Sequence, residues 1–389
     1  FLNGLGVLED TYHDFGGEVR YLNDADWFGE RNHLTLGFAP HVTLLYDDRF
    51  QNLNGHSGAK VADDDFTAVN YDFYAENQHY FTDKFSVVAG GSLSYAVRDF
   101  QDNFKTDPNG DQSRDQDYLG FNPKLGVIYE LDQRTQLYAN VSRSFEPASS
   151  IELVGLGGPN GAILSDKLKA QTGTTIEVGT RGEADRFKWE LSYYYLWIED
   201  ELLTVNDQFG NPLGTVNEPH TIHQGVELGL EVRLLDSLFY HEATQGKQRP
   251  ATDRLTLRQV FNWNDFRFDD SSVYGDNRLA GAPEFTYRVE LRYESPCGFY
   301  FAPNVQAASR VPADYANTLY GDRYAILGVN FGYQSTHGWS VFADFRNLTN
   351  ERSASAAEPI PDATTSFGAP RVFHPGEPRS FYGGIEWKF

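Results

Sequence analysis

The strongest constraint on the fold is a strict alternation of apolar and polar residues with a period of two. In the last ten residues, one face contains Phe381, Gly383, Ile385, Trp387 and Phe389, and the other contains Ser380, Tyr382, Gly384, Glu386 and Lys388. Successive side chains of a β-strand point to opposite faces. The segment is therefore predicted to be a strand with one apolar face and one polar face, ending in an aromatic residue.

The same alternation recurs along the whole chain. From Phe285 to Glu294, aromatic and aliphatic residues alternate with Arg288, Glu290 and Arg292. A period of two over such lengths is the primary signal for strands. About fifteen strands are predicted, at 10–23, 31–45, 66–79, 84–99, 119–130, 134–144, 170–182, 186–203, 220–235, 252–266, 283–294, 298–309, 323–333, 338–346 and 379–389.

The connections between these strands alternate in length. The short ones are 81–83, 130–133, 182–185, 294–297 and 334–338. The long ones are 46–65, 100–118, 145–169, 204–219, 267–282, 310–322 and 347–378, and 236–251 is the one exception to the alternation. Short turns at one rim and long loops at the other are typical of bacterial outer-membrane barrels. The predicted fold is therefore all-β, a transmembrane antiparallel up-and-down β-barrel.

A soluble β-sandwich would also show alternation, so it is the main structural alternative. About fifteen long strands in a meander would, however, close a barrel too wide to fill with apolar side chains. The apolar face is therefore expected to contact lipid, with Trp189, Trp197, Tyr293 and Trp387 near the membrane interfaces. The sequence has no apolar run of the ~18 to 20 residues that a spanning helix needs.

Charge and cysteine content limit the possible partners and cross-links of the chain. The chain has 55 acidic and 32 basic residues and a formal charge of −23, which disfavours nucleic acid as a partner. Cys297 is the single cysteine, so no disulfide can form within these 389 residues. Acidic loops are the simplest source of the charge, because they keep an extracellular surface hydrated.

No catalytic or metal-binding constellation is predicted. Residues 55–58 (GHSG) lack the strand–turn–helix context of a nucleophile elbow. His220 and His223 suggest a metal or haem pair, although an ordinary strand start is the stronger interpretation. The acidic stretches 107–117 and 63–65 do not match a calcium loop, and hydrated turns are favoured over calcium sites for both.

Several stretches match one known family in order and spacing. They are 122–129 (NPKLGVIY), 137–145 (LYANVSRSF), 168–179 (LKAQTGTTIEVG), 223–227 (HQGVE), 342–350 (FADFRNLTN) and 376–389 (GEPRSFYGGIEWKF). With these, the chain resembles the barrel of TonB-dependent outer-membrane receptors over essentially its full length. The resemblance is strongest to receptors for ferric siderophores and ferric citrate-type chelates.

The resemblance implies a barrel of about 22 strands. Residues 1–389 would be one domain, the C-terminal part of that barrel, because the N-terminal plug, the TonB box and the first strands have no counterpart here. Charges on the inner face would pair with one another or pack against the plug. This set comprises Glu177, Arg181, Glu227, Arg233, Arg288, Glu290, Arg292 and Arg346.

The resemblance also implies an active transporter in the outer membrane of a Gram-negative cell. It would bind a ferric siderophore at its extracellular mouth and import it with energy from TonB, without catalysis and without a covalently bound cofactor. Its partners would be the TonB complex, the ferric chelate, and outer-membrane lipid and lipopolysaccharide. Loops matching 145–169 and 204–219 would move on binding, and the glycines of 155–161 supply backbone freedom.

Candidate ligand residues are the arginine and aromatic side chains of three long loops. Ferric chelates are often anionic and flat, so guanidinium forks and aromatic rings suit them. The candidates are Tyr274, Arg278, Arg310, Tyr315, Tyr320, Arg323, Arg352, Arg371 and His374. A solvated or lipopolysaccharide-facing role is the alternative for each of them.

Three other functions remain open at this stage. A haem or cobalamin receptor of the same family would differ only in its cargo. A passive porin-like channel would lack the plug and the TonB box. An outer-membrane enzyme is disfavoured, because no Ser/His/Asp-type arrangement is found in the sequence.

Overall fold

The computed structural model describes residues 6–104, 111–153, 167–239 and 252–388. Within these ranges the chain forms one antiparallel sheet of 16 strands, in which neighbouring strands follow one another in chain order and the first two strands share the third as their partner. Two short strand pairs and two single-turn helices lie in the connections between its strands. None of the described helices has the length and apolar character needed to cross a membrane.

The large sheet contains β1 (Val7–Gly16), β2 (Val19–Asn23), β3 (Asn32–Leu53), β4 (His56–Thr82), β5 (Phe85–Asp102), β6 (Arg114–Asp132), β7 (Thr135–Glu146), β8 (Gln171–Glu183), β9 (Phe187–Asn206), β10 (Pro212–Asp236), β11 (Arg254–Phe268), β12 (Phe285–Glu294), β13 (Phe299–Ala308), β16 (Tyr324–Gln334), β17 (Trp339–Arg346) and β20 (Ser380–Trp387). Two small pairs, β14 (Val311–Pro312) with β15 (Tyr320–Gly321) and β18 (Ala354–Ala357) with β19 (Phe373–Pro375), lie in the long connections. The helices are α1 (Ser150–Leu153) and a 3-10 turn at Ala363–Thr365.

The predicted antiparallel meander is confirmed. The predicted strand 10–23 is divided into β1 and β2, which both pair with β3. Every other predicted strand overlaps one strand of the sheet. No ladder joins β1 to β20 among the described residues, so both strands are edges of this sheet.

Three connections predicted to be long loops consist wholly or partly of strand where the structure describes them, so these loop predictions are wrong in extent. Residues 46–65 form a hairpin in which Leu53 pairs with His56 around Asn54 and Gly55. Both turn residues have positive φ, 57° and 92°, as a two-residue hairpin requires. Residues 100–118 and 204–219 likewise extend β5, β6, β9 and β10. Much of the predicted connection 236–251, and the glycine-rich stretch 155–161, lie outside the described residues.

The two ends of the sheet differ. At the turn end, neighbouring strands meet in tight turns such as 133–134 and 335–338. At the opposite, loop end, strands continue as hairpins or enter long connections. All four buried hydrophobic clusters involve the loop end, for example Leu45 with Phe66 and Phe100, and Phe268 with Leu279 and Tyr315. A single sheet has no second layer to pack against, so burial occurs where connections fold over it.

The apolar and polar faces predicted from the alternation are confirmed. On the apolar face, Phe121 is 65% exposed, Phe285 42% and Trp387 62%. On the polar face, Arg288, Glu290 and Arg292 alternate with the apolar residues of β12. The large apolar side chains therefore do not gather into a dry centre, and the sheet presents them outward along its length.

Candidate ligand-binding mouth

Four connections pack together at the loop end into a single layer, here called the loop cap. The loop cap consists of 207–211, 269–284, 309–323 and 347–379. Backbone N–H groups join these segments: Asn206 donates to the carbonyl of Pro359 (3.0 Å), Arg371 to Gln208 (2.8 Å) and Gly281 to Pro312 (2.8 Å). Tyr315 also donates to Ile360 (3.0 Å). The cap is therefore held by main-chain bonds between residues remote in sequence.

Asp314 is the main polar junction inside the cap. Its carboxylate is fully buried and accepts from the backbone N–H groups of Thr318, Leu319 and Ala363 at 2.8, 2.8 and 3.0 Å. The Thr318 hydroxyl donates to it as well, at 2.5 Å. Hydrogen bonds to a carboxylate compensate for the loss of water. Asp314 thus connects the 309–323 segment to the 347–379 segment.

Two predicted ligand residues, Tyr315 and Tyr274, are buried or half-buried inside the cap. Tyr315 is buried, and its hydroxyl donates to the carbonyl of Thr204 at 2.9 Å. Its ring contacts Phe268 and Tyr274, with centroids 5.6 and 5.7 Å apart. Burial raises the pKa of Tyr315 above its ordinary value, so the phenol is neutral. Tyr274 is half-buried against the same rings, and both side chains shape the cap from within.

Arg278 has a full set of partners. Its Nη2 lies 3.3 Å from Asp265 Oδ1 and 3.1 Å from Glu284 Oε1. Its backbone N–H donates to Asn317 Oδ1 at 2.9 Å. Arg278 therefore fixes the 269–284 connection onto the end of β11.

The other predicted ligand residues lie on the outside of the cap or at its border. The guanidinium of Arg310 lies over the Tyr320 ring, 4.4 Å from its centroid, and Arg323 is exposed. Arg352 and Arg371 are also exposed. His374 Nε2 lies 2.8 Å from Glu358 Oε1. The structure thus brings Tyr274 together with Tyr315, and Arg310 together with Tyr320.

A second region of the loop end is built from β1, β3, β4 and β5. Four aspartates face one another across these strands: Asp10 is opposite Asp47, Asp47 opposite Asp64, and Asp64 opposite Asp102. This set is here called the acidic row. Arg49 forms a 2.5 Å ion pair with Asp47. Like charges directly opposite one another destabilise a sheet.

Asp64 is the least satisfied member of the acidic row. It is 7% exposed and forms no hydrogen bond or ion pair with the residues that the structure describes. Burial raises the pKa of Asp64 to about 6; Arg49 opposes this rise, and the Asp102 and Asp47 carboxylates add to it. The prediction of a hydrated turn at 63–65 is wrong, because these residues belong to β4.

Neither the histidine pair nor the described part of the acidic stretches is arranged as a metal site. His220 and His223 are three residues apart on β10, so their side chains point to opposite faces. His223 stacks on Phe266 at 4.4 Å and lies 3.3 Å from Glu201 Oε1. Within the described ranges, no group of three His, Cys, Asp or Glu side chains is arranged to hold a metal ion. Residues 107–110 of the acidic stretch 107–117 lie outside those ranges.

A cavity of 680 Å³ lies on the polar face below the loop cap. Side chains from β12, β13, β16 and β17 form its wall, and Ser353, Ser355 and Glu377 from the 347–379 segment cover it. Its volume is in the range of ligand pockets in proteins. The sequence predicted Arg288, Glu290, Arg292 and Arg346 only as charges on the inner face. The cavity was not predicted, because it depends on strand register and on a loop that is distant in sequence.

A family model described as TonB dependent receptor-like, β-barrel, matches residues 4–348 of this chain. The match covers most of the sheet and part of the loop cap.

Solved structures also share this fold. The ferric yersiniabactin uptake receptor FyuA from Yersinia pestis is 17% identical, with a TM-score of 0.70 over 97% of this chain and 54% of that one. For the ferric citrate transporter FecA the values are 14%, 0.73, 98% and 55%. For the copper transporter OprC they are 16%, 0.72, 98% and 57%. The chain spans about half the length of each, and at these identities the likeness establishes the fold alone.

Proposed function

This chain belongs to the TonB-dependent receptor-like β-barrel family, and we propose that it forms part of the barrel of an outer-membrane active transporter. The transporter binds a ferric siderophore at its extracellular mouth and imports it with energy delivered through TonB. Further strands complete the barrel, and a plug on its polar side contacts TonB. The chemistry is binding and release, without covalent steps.

The observation that carries the proposal is the exposure of the apolar face. Phe121, Leu191 and Phe285 are exposed on three different strands of one sheet, and polar residues line its other face. Such a surface is stable when lipid covers one side and water the other. The shortest spanning strands have 8 to 10 residues, near the ~9–11 that cross a bilayer.

Barrels of the outer membrane have short turns in the periplasm and long loops outside the cell. The turn end of this sheet would therefore lie in the periplasm and the loop end outside the cell. The loop cap then presents Arg310, Arg323, Arg352 and Arg371 at the mouth of a chain whose formal charge is −23. Arginines placed there favour an anionic ligand, since the guanidinium fork binds carboxylates and similar anions. A ferric siderophore has this character, and we assign it as the cargo.

Binding to the full-length receptor tests the cargo. Quenching of intrinsic tryptophan fluorescence is titrated with ferric citrate, a ferric catecholate, a ferric hydroxamate, haem and cobalamin. The proposal expects saturable quenching by at least one ferric chelate at micromolar concentration or below. Quenching by haem or cobalamin alone would replace the siderophore with one of those ligands.

Uptake in cells tests the energy source. The receptor is expressed in a strain that lacks its own receptors, with and without functional TonB, and accumulation of radioactive iron from the bound chelate is measured. We expect accumulation only with TonB. Equal accumulation in both strains would identify a passive channel.

A further inference from the structure

On the polar face around the cavity below the loop cap, most arginines are paired with carboxylates. Arg254 Nε is 2.6 Å from Glu294 Oε2, and Arg258 Nε is 3.0 Å from Glu231 Oε2. Arg292 lies 3.2 Å from Glu294, and Arg346 lies 2.7 Å from Asp344. Pairing of this kind neutralises the wall and fixes each guanidinium.

Ring contacts restrict two of these arginines further. Arg292 lies over the Tyr300 ring at 4.3 Å, and Arg346 lies over the Tyr382 ring at 4.4 Å. A guanidinium that is both paired and stacked has few donors left for a ligand. These two arginines therefore form structural parts of the cavity wall.

Arg288 differs from its neighbours. It lines the cavity from β12 and forms no ion pair or hydrogen bond with any residue in the described ranges. The carboxylate two positions along the strand, Glu290, is 3.5 Å from Arg258 Nη1. Arg288 therefore presents its guanidinium fork to the cavity, where a planar anion with two oxygens is its best partner.

The neighbours of Arg288 favour a carboxylate over an aromatic anion. Gln306 lies directly opposite on β13, and Asn304 and Asn330 also line the cavity. Carboxamide N–H groups donate to carboxylate and hydroxyl oxygens. Among the described residues that line the cavity, Tyr324 is the only aromatic one, and the nearby Tyr300 and Tyr382 rings are covered by the stacked arginines, so the stacking surface for catechol rings is small.

We propose that Arg288 and Gln306 form a subsite for a carboxylate arm of the transported iron chelate, which places the cargo in the class of ferric carboxylates or hydroxycarboxylates. This inference rests on the proposed function, because it assumes that the chelate reaches the cavity from the mouth. Specificity for the chelate would then lie in the inner wall, below the loop arginines.

The test compares Arg288→Gln with Arg181→Gln in the full-length receptor. Arg181 lies on the polar face near the turn end and donates to Gln136 at 3.0 Å, so its replacement makes the same change of charge far from the cavity. Fluorescence titrations use ferric citrate and a ferric tris-catecholate. Loss of a charge-assisted bidentate contact is expected to weaken ferric citrate binding about 10- to 100-fold in Arg288→Gln. Catecholate binding stays within about twofold, and Arg181→Gln changes neither.

A third variant, Arg288→Lys, keeps the charge and loses the fork. It is expected to recover part of the ferric citrate affinity, because a lysine binds an anion as a point charge. Equal loss for both chelates, or unchanged citrate affinity in Arg288→Gln, overturns the subsite; equal loss with a lower melting temperature indicates a contact with the plug.

The wild-type receptor separates this inference from the proposed function. If it binds the catecholate and not ferric citrate, the carboxylate class is wrong and the siderophore function survives. If it binds neither chelate and takes haem or cobalamin, the proposed function fails and the subsite with it.

Discussion

The loop cap and the acidic row each bury an aspartate, with opposite consequences. Asp314 is 0% exposed and has four donors around its carboxylate. Asp64 is 7% exposed and faces Asp47 and Asp102 across the sheet. Burial is similar, so the difference lies in the partners. A carboxylate with donors stabilises the fold as an anion, and a carboxylate among carboxylates is stabilised by a proton.

This difference separates a rigid region from one that responds to pH. In the cap, main-chain bonds connect four segments, and Asp314 fixes two of them to each other. In the acidic row, regular strand ladders hold like charges in register. We therefore expect the hairpin of β3 and β4 to become more stable as the medium becomes acidic.

Removal of the Asp314 carboxylate should have the largest effect. Asp314→Ala leaves three backbone N–H groups and one hydroxyl without their acceptor inside the cap, at a cost of about 3–5 kcal/mol. Hydrogen exchange of amides such as Tyr315 and Arg371 should then accelerate about a hundredfold or more. Strand amides near the turn end should not change.

Asp322→Ala is the matched control, because Asp322 is an exposed aspartate in the same connection. It should leave exchange in the cap unchanged. Equal protection in Asp314→Ala and wild type would show that the cap does not depend on this carboxylate.

Asp64→Asn should have the next largest effect, and its sign depends on pH. Asp64 lies at the loop end of β4, beyond the ~9–11 residues of the strand that cross a bilayer. The pKa of Asp64 in the folded state, about 6, is above the ordinary value of aspartate, so folding favours the proton. The destabilisation is absent below about pH 4, grows as the pH rises to 6, and is constant above it.

Asp64→Asn should therefore stabilise the β3–β4 hairpin by about 2–3 kcal/mol at pH 7.5 and by about 1 kcal/mol at pH 4.5. Hydrogen exchange of residues 46–65, corrected for intrinsic rates, provides the measurement. The control is Asp65→Asn, which removes a carboxylate from the other face of the same strand, where Asn103 donates to it, and should not stabilise the hairpin at pH 7.5. A greater gain for Asp64→Asn at pH 4.5 than at pH 7.5 contradicts the assignment.

Tyr315→Phe should have the smallest effect. It removes one hydrogen bond, from the hydroxyl to the Thr204 carbonyl, and keeps the ring contacts with Phe268 and Tyr274. The expected cost is about 1 kcal/mol, seen as roughly fivefold faster exchange in the cap. Tyr274→Phe is the control, because its hydroxyl makes no hydrogen bond with a described residue; an equal effect of both variants would rule out a specific role for the Tyr315 hydroxyl.

The sheet was predictable because its signal is local. Each residue of β12 shows its face by its own polarity, and the predicted strand 283–294 differs from Phe285–Glu294 by two residues at one end. The extensions of β3 and β4 were missed because polar residues occupy both faces there, so the alternation ends before the strand does. Asn54 and Gly55 were the available signal, since this dipeptide favours a two-residue hairpin.

The candidate site was less predictable, because its contacts are remote in sequence. Residue type selected Tyr315 and Arg278, but their partners Thr204 and Asn317 lie on another hairpin and in another connection. Arg288 was one wall charge among eight in the sequence. Its lack of a partner depends on strand register and on the pairing of Glu290 with Arg258.

Lipid should cover one face of the sheet and water the other. Spin labels on Ile176→Cys and Thr175→Cys, neighbours on β8, can show this in full-length Cys297→Ser receptor reconstituted in bilayers. We expect a label at 176 to collide mainly with oxygen dissolved in the lipid and a label at 175 to collide mainly with a water-soluble nickel complex. Equal accessibility of the two positions to both reagents would contradict this arrangement of lipid and water.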